Sequence, residues 1–147
     1  IPFLSAKTIN GVSLPYLAET AEGLMSASTW APNLDNPANK RFMREFQRTY
    51  GYQPSVYAAQ GYDAAKFLHF SLELTGGIKD TETLISAMNA APFESVRGDF
   101  RFNDNQFPIQ DFYLVEGVRR TSTLYVMEAT ARIFDDVGDA YSGSCRM

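Results

Sequence analysis

At 147 residues, 45% of them hydrophobic, the chain is long enough for one ordinary domain with a core and too apolar for a disordered segment. Its formal net charge of −4 argues against a general nucleic-acid binder. Cys145 is the single cysteine, so no internal disulfide is possible; it reads either as an inert tail thiol or as half of a disulfide whose partner lies elsewhere.

The chain opens on Ile1-Pro2-Phe3-Leu4 without a methionine or a secretory signal, which reads like the inside of a folded protein, a fragment or a processed product. Ile1 to Ser5 is expected to be a short buried strand. Lys7 to Gly11 is expected to be a loop, because Asn10-Gly11 is a strong turn signal. A short helix over Pro15–Thr20 and a strand over Leu24–Trp30 follow. Ala31 to Asp35 is a connector, and the prolines and asparagines between Pro32 and Pro37 mark the best segment boundary.

Asn36-Pro37 places an N-cap before a proline at the first helical position, which opens a helix through Tyr50. Phe42, Met43, Phe46 and Tyr50 recur on its apolar face, and Lys40, Arg41, Arg44, Glu45 and Arg48 cover the solvated one. Ser55 then caps a long helix that Gly76 and Gly77 end. That helix is apolar nearly all round, apart from an arc of Lys66, His69 and Glu73, and so is expected to be packed on most sides. A further helix from Asp80 or Thr81 buries Leu84, Ile85 and Met88 and ends at Pro92. From Val96 the period changes to two, with strands near Phe100, Phe112 and Tyr125. Turns are expected at Asp104-Asn105 and Glu116-Gly117, and the tail from Phe134 is expected to be partly disordered.

No catalytic constellation emerges. His69, the only histidine, reads as a solvated or ion-paired surface residue. No zinc or calcium spacing, Walker loop, G-x-S-x-G or G-x-G-x-x-G is present. Neither a metal nor a cofactor is expected, and a small hydrolase lacks its nucleophile–base pair. Arg97-Gly98-Asp99 spells an adhesion tripeptide, but at a strand start it reads as chance.

Several motifs, in order and at the right spacing, carry a resemblance. They are Ala21-Glu22-Gly23-Leu24; Phe42-x-x-x-Phe46-x-x-x-Tyr50-Gly51-Tyr52-x-Pro54; Tyr57-Ala58-Ala59-x-x-Tyr62-Asp63-Ala64-Ala65; and Gly98-x-Phe100-x-Phe102-Asn103. Together they resemble the branched-chain amino-acid-binding proteins of bacterial ABC importers. The match is to the C-terminal part of that type I periplasmic binding protein chain. The resemblance implies a two-lobe, three-layer α/β/α fold, with residues 1–31 in the second lobe, 32–108 in the first and 109–147 back in the second.

It further implies a small amino acid or carboxylate bound between the lobes, with Tyr57 as an aromatic wall and Lys7 and Thr8 on a loop facing it. Lys7 departs from the acidic residue or glycine that the family often has near this position, which points away from a plain aliphatic amino acid. The implied partner is a membrane permease, and the implied location is the periplasm or the outer face of an anchoring membrane. A ligand-sensing receptor or regulator domain is the alternative use of the same fold. Alone, the chain is expected to leave strand edges unpaired and to self-associate through them.

Overall fold

The computed structural model describes residues 4–77, 80–91 and 93–145. Strand β1 (Leu4–Ala6) leads through a loop into a one-turn helix α1 (Leu14–Leu17), a 3₁₀ turn over Ala18–Ala21 and strand β2 (Met25–Ser28). Residues 1–3 of the expected first strand lie outside the described residues. Helices α2 (Pro37–Tyr50), α3 (Val56–Thr75) and α4 (Thr81–Ala90) follow, then strands β3 (Phe100–Phe102), β4 (Pro108–Arg119) and β5 (Tyr125–Val137).

The helices start where their caps place them. The side chains of Asn36, Ser55 and Asp80 accept from the N–H groups of Asn39, Ala58 and Thr83, so each satisfies one orphan donor. Gly51 and Gly76 close α2 and α3 in the left-handed conformation. The expected stop of α4 at Pro92 lies outside the described residues.

The sheet is mixed. β1 pairs parallel with β2, and β2 pairs antiparallel with β4 from Met25↔Glu116 to Ser28↔Tyr113. β3 pairs with the opening of β4, from Phe100↔Gln110 to Phe102↔Pro108. β5 runs antiparallel along nearly all of β4. One edge of β4 therefore carries β3 and then β2, and the other carries β5. Among the described residues, β1, β3 and β5 each have one strand neighbour.

Four expectations are corrected. Glu116-Gly117 does not turn: β4 passes straight through it to Arg119, and the hairpin bends at residues 120–124. Gly117 serves packing instead, because a Cβ there would collide with the carbonyl oxygen of Ala21. The tail is ordered further than expected, since β5 continues to Val137 by pairing with β4. In α3 one stripe is buried (Val56, Ala59, Asp63, Ser71 and Thr75), while Tyr57, Leu68 and Leu74 are exposed. In α4 no residue is fully buried, and Ile85 is exposed.

The core gathers where β2 hands the chain to α2. Trp30, Ala31, Leu34, Ala38 and Phe42 are buried there with Val56, Val96 and Val115. Phe42 meets Trp30, Phe46 and Tyr62 with ring centroids 6.2, 5.6 and 4.8 Å apart. These separations suit edge-on and tilted aromatic packing.

Candidate functional site

The loop after β1 is built by its own side chains. Asn10 donates to the carbonyl of Lys7 at 3.0 Å and accepts from the N–H groups of Val12 and Ser13 at 2.8 and 3.2 Å. The Ser13 hydroxyl accepts from Asn10 N–H at 3.1 Å and donates to the Thr8 carbonyl at 2.7 Å. Ile9 and Asn10 are buried, so the loop is anchored from beneath. Lys7 and Thr8 stay exposed on top. Lys7 holds a left-handed backbone with φ 57°, a conformation that costs a side-chain-bearing residue about 1 kcal/mol or more.

The second candidate element is the start of α3. Ser55 satisfies Ala58 N–H at 3.2 Å. Among the described residues, the N–H groups of Val56 and Tyr57 have no partner. A helix start of this kind offers free donors and the positive end of the backbone dipole. The Tyr57 ring beside it is 58% exposed, which leaves a flat face free for contact.

The loop and the start of α3 lie close together. A Cβ on Gly11 would lie 3.0 Å from Ser55 Cα and 3.2 Å from the Pro54 carbonyl oxygen. The loop that carries Lys7 and Thr8 is thus in backbone contact with the residue that caps α3, two positions before Tyr57. A groove of about 860 Å³ also runs along this contact, lined by Gly11, Leu14, Pro54, Arg44, Leu124 and Met127 among others. Lys7, Thr8 and Tyr57 are not among its lining residues.

The remaining candidates fall elsewhere. His69 faces Glu73 one helical turn away at 3.4 Å, both exposed. Cys145 is an exposed free thiol. Among the described residues, no group of three or more His, Cys, Asp and Glu is placed to hold a metal ion, and no helix is long and apolar enough to cross a membrane.

Asp63 holds a structural role that the sequence reading did not assign. Almost fully buried on α3, it accepts from the Ser95 hydroxyl at 2.6 Å, Val96 N–H at 3.0 Å and Arg97 Nε at 3.0 Å. Arg97 also donates to Gln110 on β4 at 2.8 Å and covers the Phe100 ring at 4.2 Å. This network ties α3 to the sheet and occupies the arginine of the Arg-Gly-Asp triplet. A signal existed: Asp63 falls on the helical stripe of Val56 and Ala59, where a carboxylate demands partners. Asn10 gave a weaker one, since an asparagine before glycine often bonds its own turn.

Residues 2–122 match the pattern of the periplasmic binding protein family. A Leu/Ile/Val-binding protein homologue of Brucella abortus is 28% identical over 132 residues, which cover 86% of this chain and 33% of the homologue. An ABC-transporter solute-binding protein of Rhodopseudomonas palustris, solved with benzoate, superposes on 100% of this chain and 39% of its own, with a TM-score of 0.85 and 28% identity. A second Rhodopseudomonas palustris solute-binding protein, solved with 3,4-dihydroxybenzoic acid, matches 99% of this chain and 39% of its own at a TM-score of 0.80 and 25% identity. The chain spans about a third of the length of the curated relatives it matches. With the family pattern running through β1, all four helices and β4, this chain belongs to the periplasmic binding proteins and has part of their type I fold.

Proposed function

We propose that this chain supplies part of the solute-binding component of an ABC importer and takes a small amino acid or carboxylate between the Lys7–Gly11 loop and the first turn of α3. The observation that carries the reading is the close approach of Gly11 to Pro54 and Ser55, which supports a site shared by the loop of Lys7 and Thr8 and the helix start of Tyr57. A carboxylate there meets the Lys7 ammonium and the free N–H groups of the helix start, and an apolar body lies against Tyr57. The relatives' ligands share that chemistry: benzoate, dihydroxybenzoate and the branched-chain amino acids each join a carboxylate to an apolar body.

In this reading the protein binds without covalent chemistry, delivers ligand to a membrane permease and works in the periplasm or anchored outside the cell. The three segments 1–31, 32–108 and 109–147 alternate between two lobes. The register of β4 supports that division, because it pairs with β3 near Pro108 and with β2 from Tyr113. The single-neighbour strands β1, β3 and β5 support self-association of the isolated chain.

Calorimetry tests the site. Full-length wild type, Tyr57→Ala and His69→Ala are titrated with benzoate, leucine and a panel of small carboxylates. Loss of the Tyr57 ring should weaken binding by about 5- to 150-fold, from roughly 1–3 kcal/mol of apolar contact. His69→Ala should bind like wild type, because His69 lies more than three turns along α3 from Ser55. The opposite pattern would place the site at the wrong end of the helix.

A further inference from the structure

We propose that Gly11 is the stop that limits how far the two walls of the site can close, and so sets the depth of the ligand space between them. The inference rests on the binding site proposed above. Gly11 does not hold a left-handed backbone, so the turn itself does not require a glycine there. The loop's shape comes from Asn10 and Ser13. What requires the missing side chain is the neighbour: Ser55 Cα at 3.0 Å, the Pro54 carbonyl oxygen at 3.2 Å and Ser55 Cβ at 3.2 Å from a Cβ at this position.

Neither side of the contact yields cheaply. Two of the three facing atoms are backbone. Pro54 is fully buried, and Ser55 is held by its cap bond to Ala58. On the loop side, Ile9 and Asn10 are buried, and Asn10 is hydrogen-bonded to the Lys7 carbonyl. An alanine at position 11 therefore needs a shift of a few tenths of an ångström, and a valine needs more. Packed interfaces resist such insertions rather than deform smoothly. Lys7 and Thr8, on the same stapled loop, move away from Tyr57 by the same displacement. A ligand can hold the closed state only through contacts that are better there than in the open one, so a propped contact weakens binding without touching a ligand-facing group.

The test follows the spacing of the walls directly. Spin labels go on Glu19→Cys and Arg48→Cys, both exposed, in full-length protein freed of other cysteines by substitutions such as Cys145→Ser. Wild type should show a shortest-distance population that matches the Gly11–Ser55 contact and grows with benzoate. Gly11→Ala should thin that population and weaken benzoate binding a few-fold. Gly11→Val should remove the population and weaken binding by about 5- to 150-fold. A Gly11→Val protein that keeps the shortest distance, or a wild type that never shows it, overturns the proposal. If Gly11→Val does not fold, Gly11→Ala and Gly11→Ser decide the matter by the same readout. Should Tyr57→Ala bind like wild type while the spacing still responds to Gly11, the ligand site is misplaced but the stop stands.

Discussion

Two regions of this molecule use similar residues to opposite ends. In the connector from Trp30 to Asn39, the side-chain polar atoms of the buried Trp30 and Asn39 are all matched. Trp30 donates through Nε1 to Asn39 Oδ1 at 2.8 Å, and Asn39 Nδ2 reaches the carbonyls of Pro32 and Leu34 at 3.1 and 3.0 Å. Asn33 exchanges two bonds with the backbone of Ala129 on β5, as a short strand would. Just before the connector, the Thr29 hydroxyl is buried without a partner among the described residues. At the β1 loop and the start of α3, by contrast, Lys7, Thr8 and Tyr57 are exposed. A sealed polar group can only hold its own chain, whereas an exposed one with free bonding capacity can hold something else. The connector fixes where the segments sit, and the loop and helix start leave side chains free for the ligand proposed above.

The sharpest way to break this contrast is to unseal the connector. Asn39→Ala strands the buried Trp30 indole N–H and the carbonyl of Leu34. The loss should be about 3 kcal/mol, read as a lower midpoint in urea unfolding of the full-length protein. A midpoint within experimental error of wild type would show that the connector is wetter than its burial implies.

A smaller effect of mixed sign is expected at the other region. Lys7→Gly relieves the left-handed backbone at φ 57°, so stability should hold or rise by up to about 1 kcal/mol. Affinity for benzoate should still fall by about 5-fold, because an exposed ion pair is worth up to about 1 kcal/mol. A gain in stability with unchanged affinity would leave Lys7 out of the site.

The smallest effect concerns an exposed cap outside both regions. The backbone N–H and hydroxyl of Thr83 hold the Asp80 carboxyl below its ordinary value. A carboxylate lowered in the folded state stabilises above its unfolded pKa, and that contribution is lost as pH falls through the folded one. The amides of the first turn of α4 should therefore exchange faster as pH drops below the usual carboxylate range, after correction for intrinsic exchange. Asp80→Asn should flatten that dependence. A wild-type profile as flat as that of the variant would mean the cap bond is not made in solution.

Much of this architecture was legible in the chain itself. Asn36-Pro37, Ser55, Asp80, Gly51 and Gly76 are local signals, and each bounds its helix because capping depends on a few adjacent residues. The alternation at Phe100 and Phe102 marked β3 for the same reason, since the strand period is a property of neighbouring side chains. The loop at Asn10-Gly11 and the placement of Tyr57 at a helix start were equally local. What the chain alone did not decide involves atoms far apart in sequence. Gly117 looks like a turn residue until Ala21 is set against it. The surface of α3 reads as packed on most sides until the structure leaves Tyr57, Leu68 and Leu74 exposed. Asp63 falls on the buried stripe of α3, but the partners it demands, Ser95, Val96 and Arg97, lie 32 to 34 positions away. The contact of Gly11 with Ser55 joins residues 44 positions apart, read directly from the numbering. Sequence patterns report each residue's own conformational preference, but whether a surface is covered, and by what, is a property of the partner, and only the tertiary structure brings the partners together.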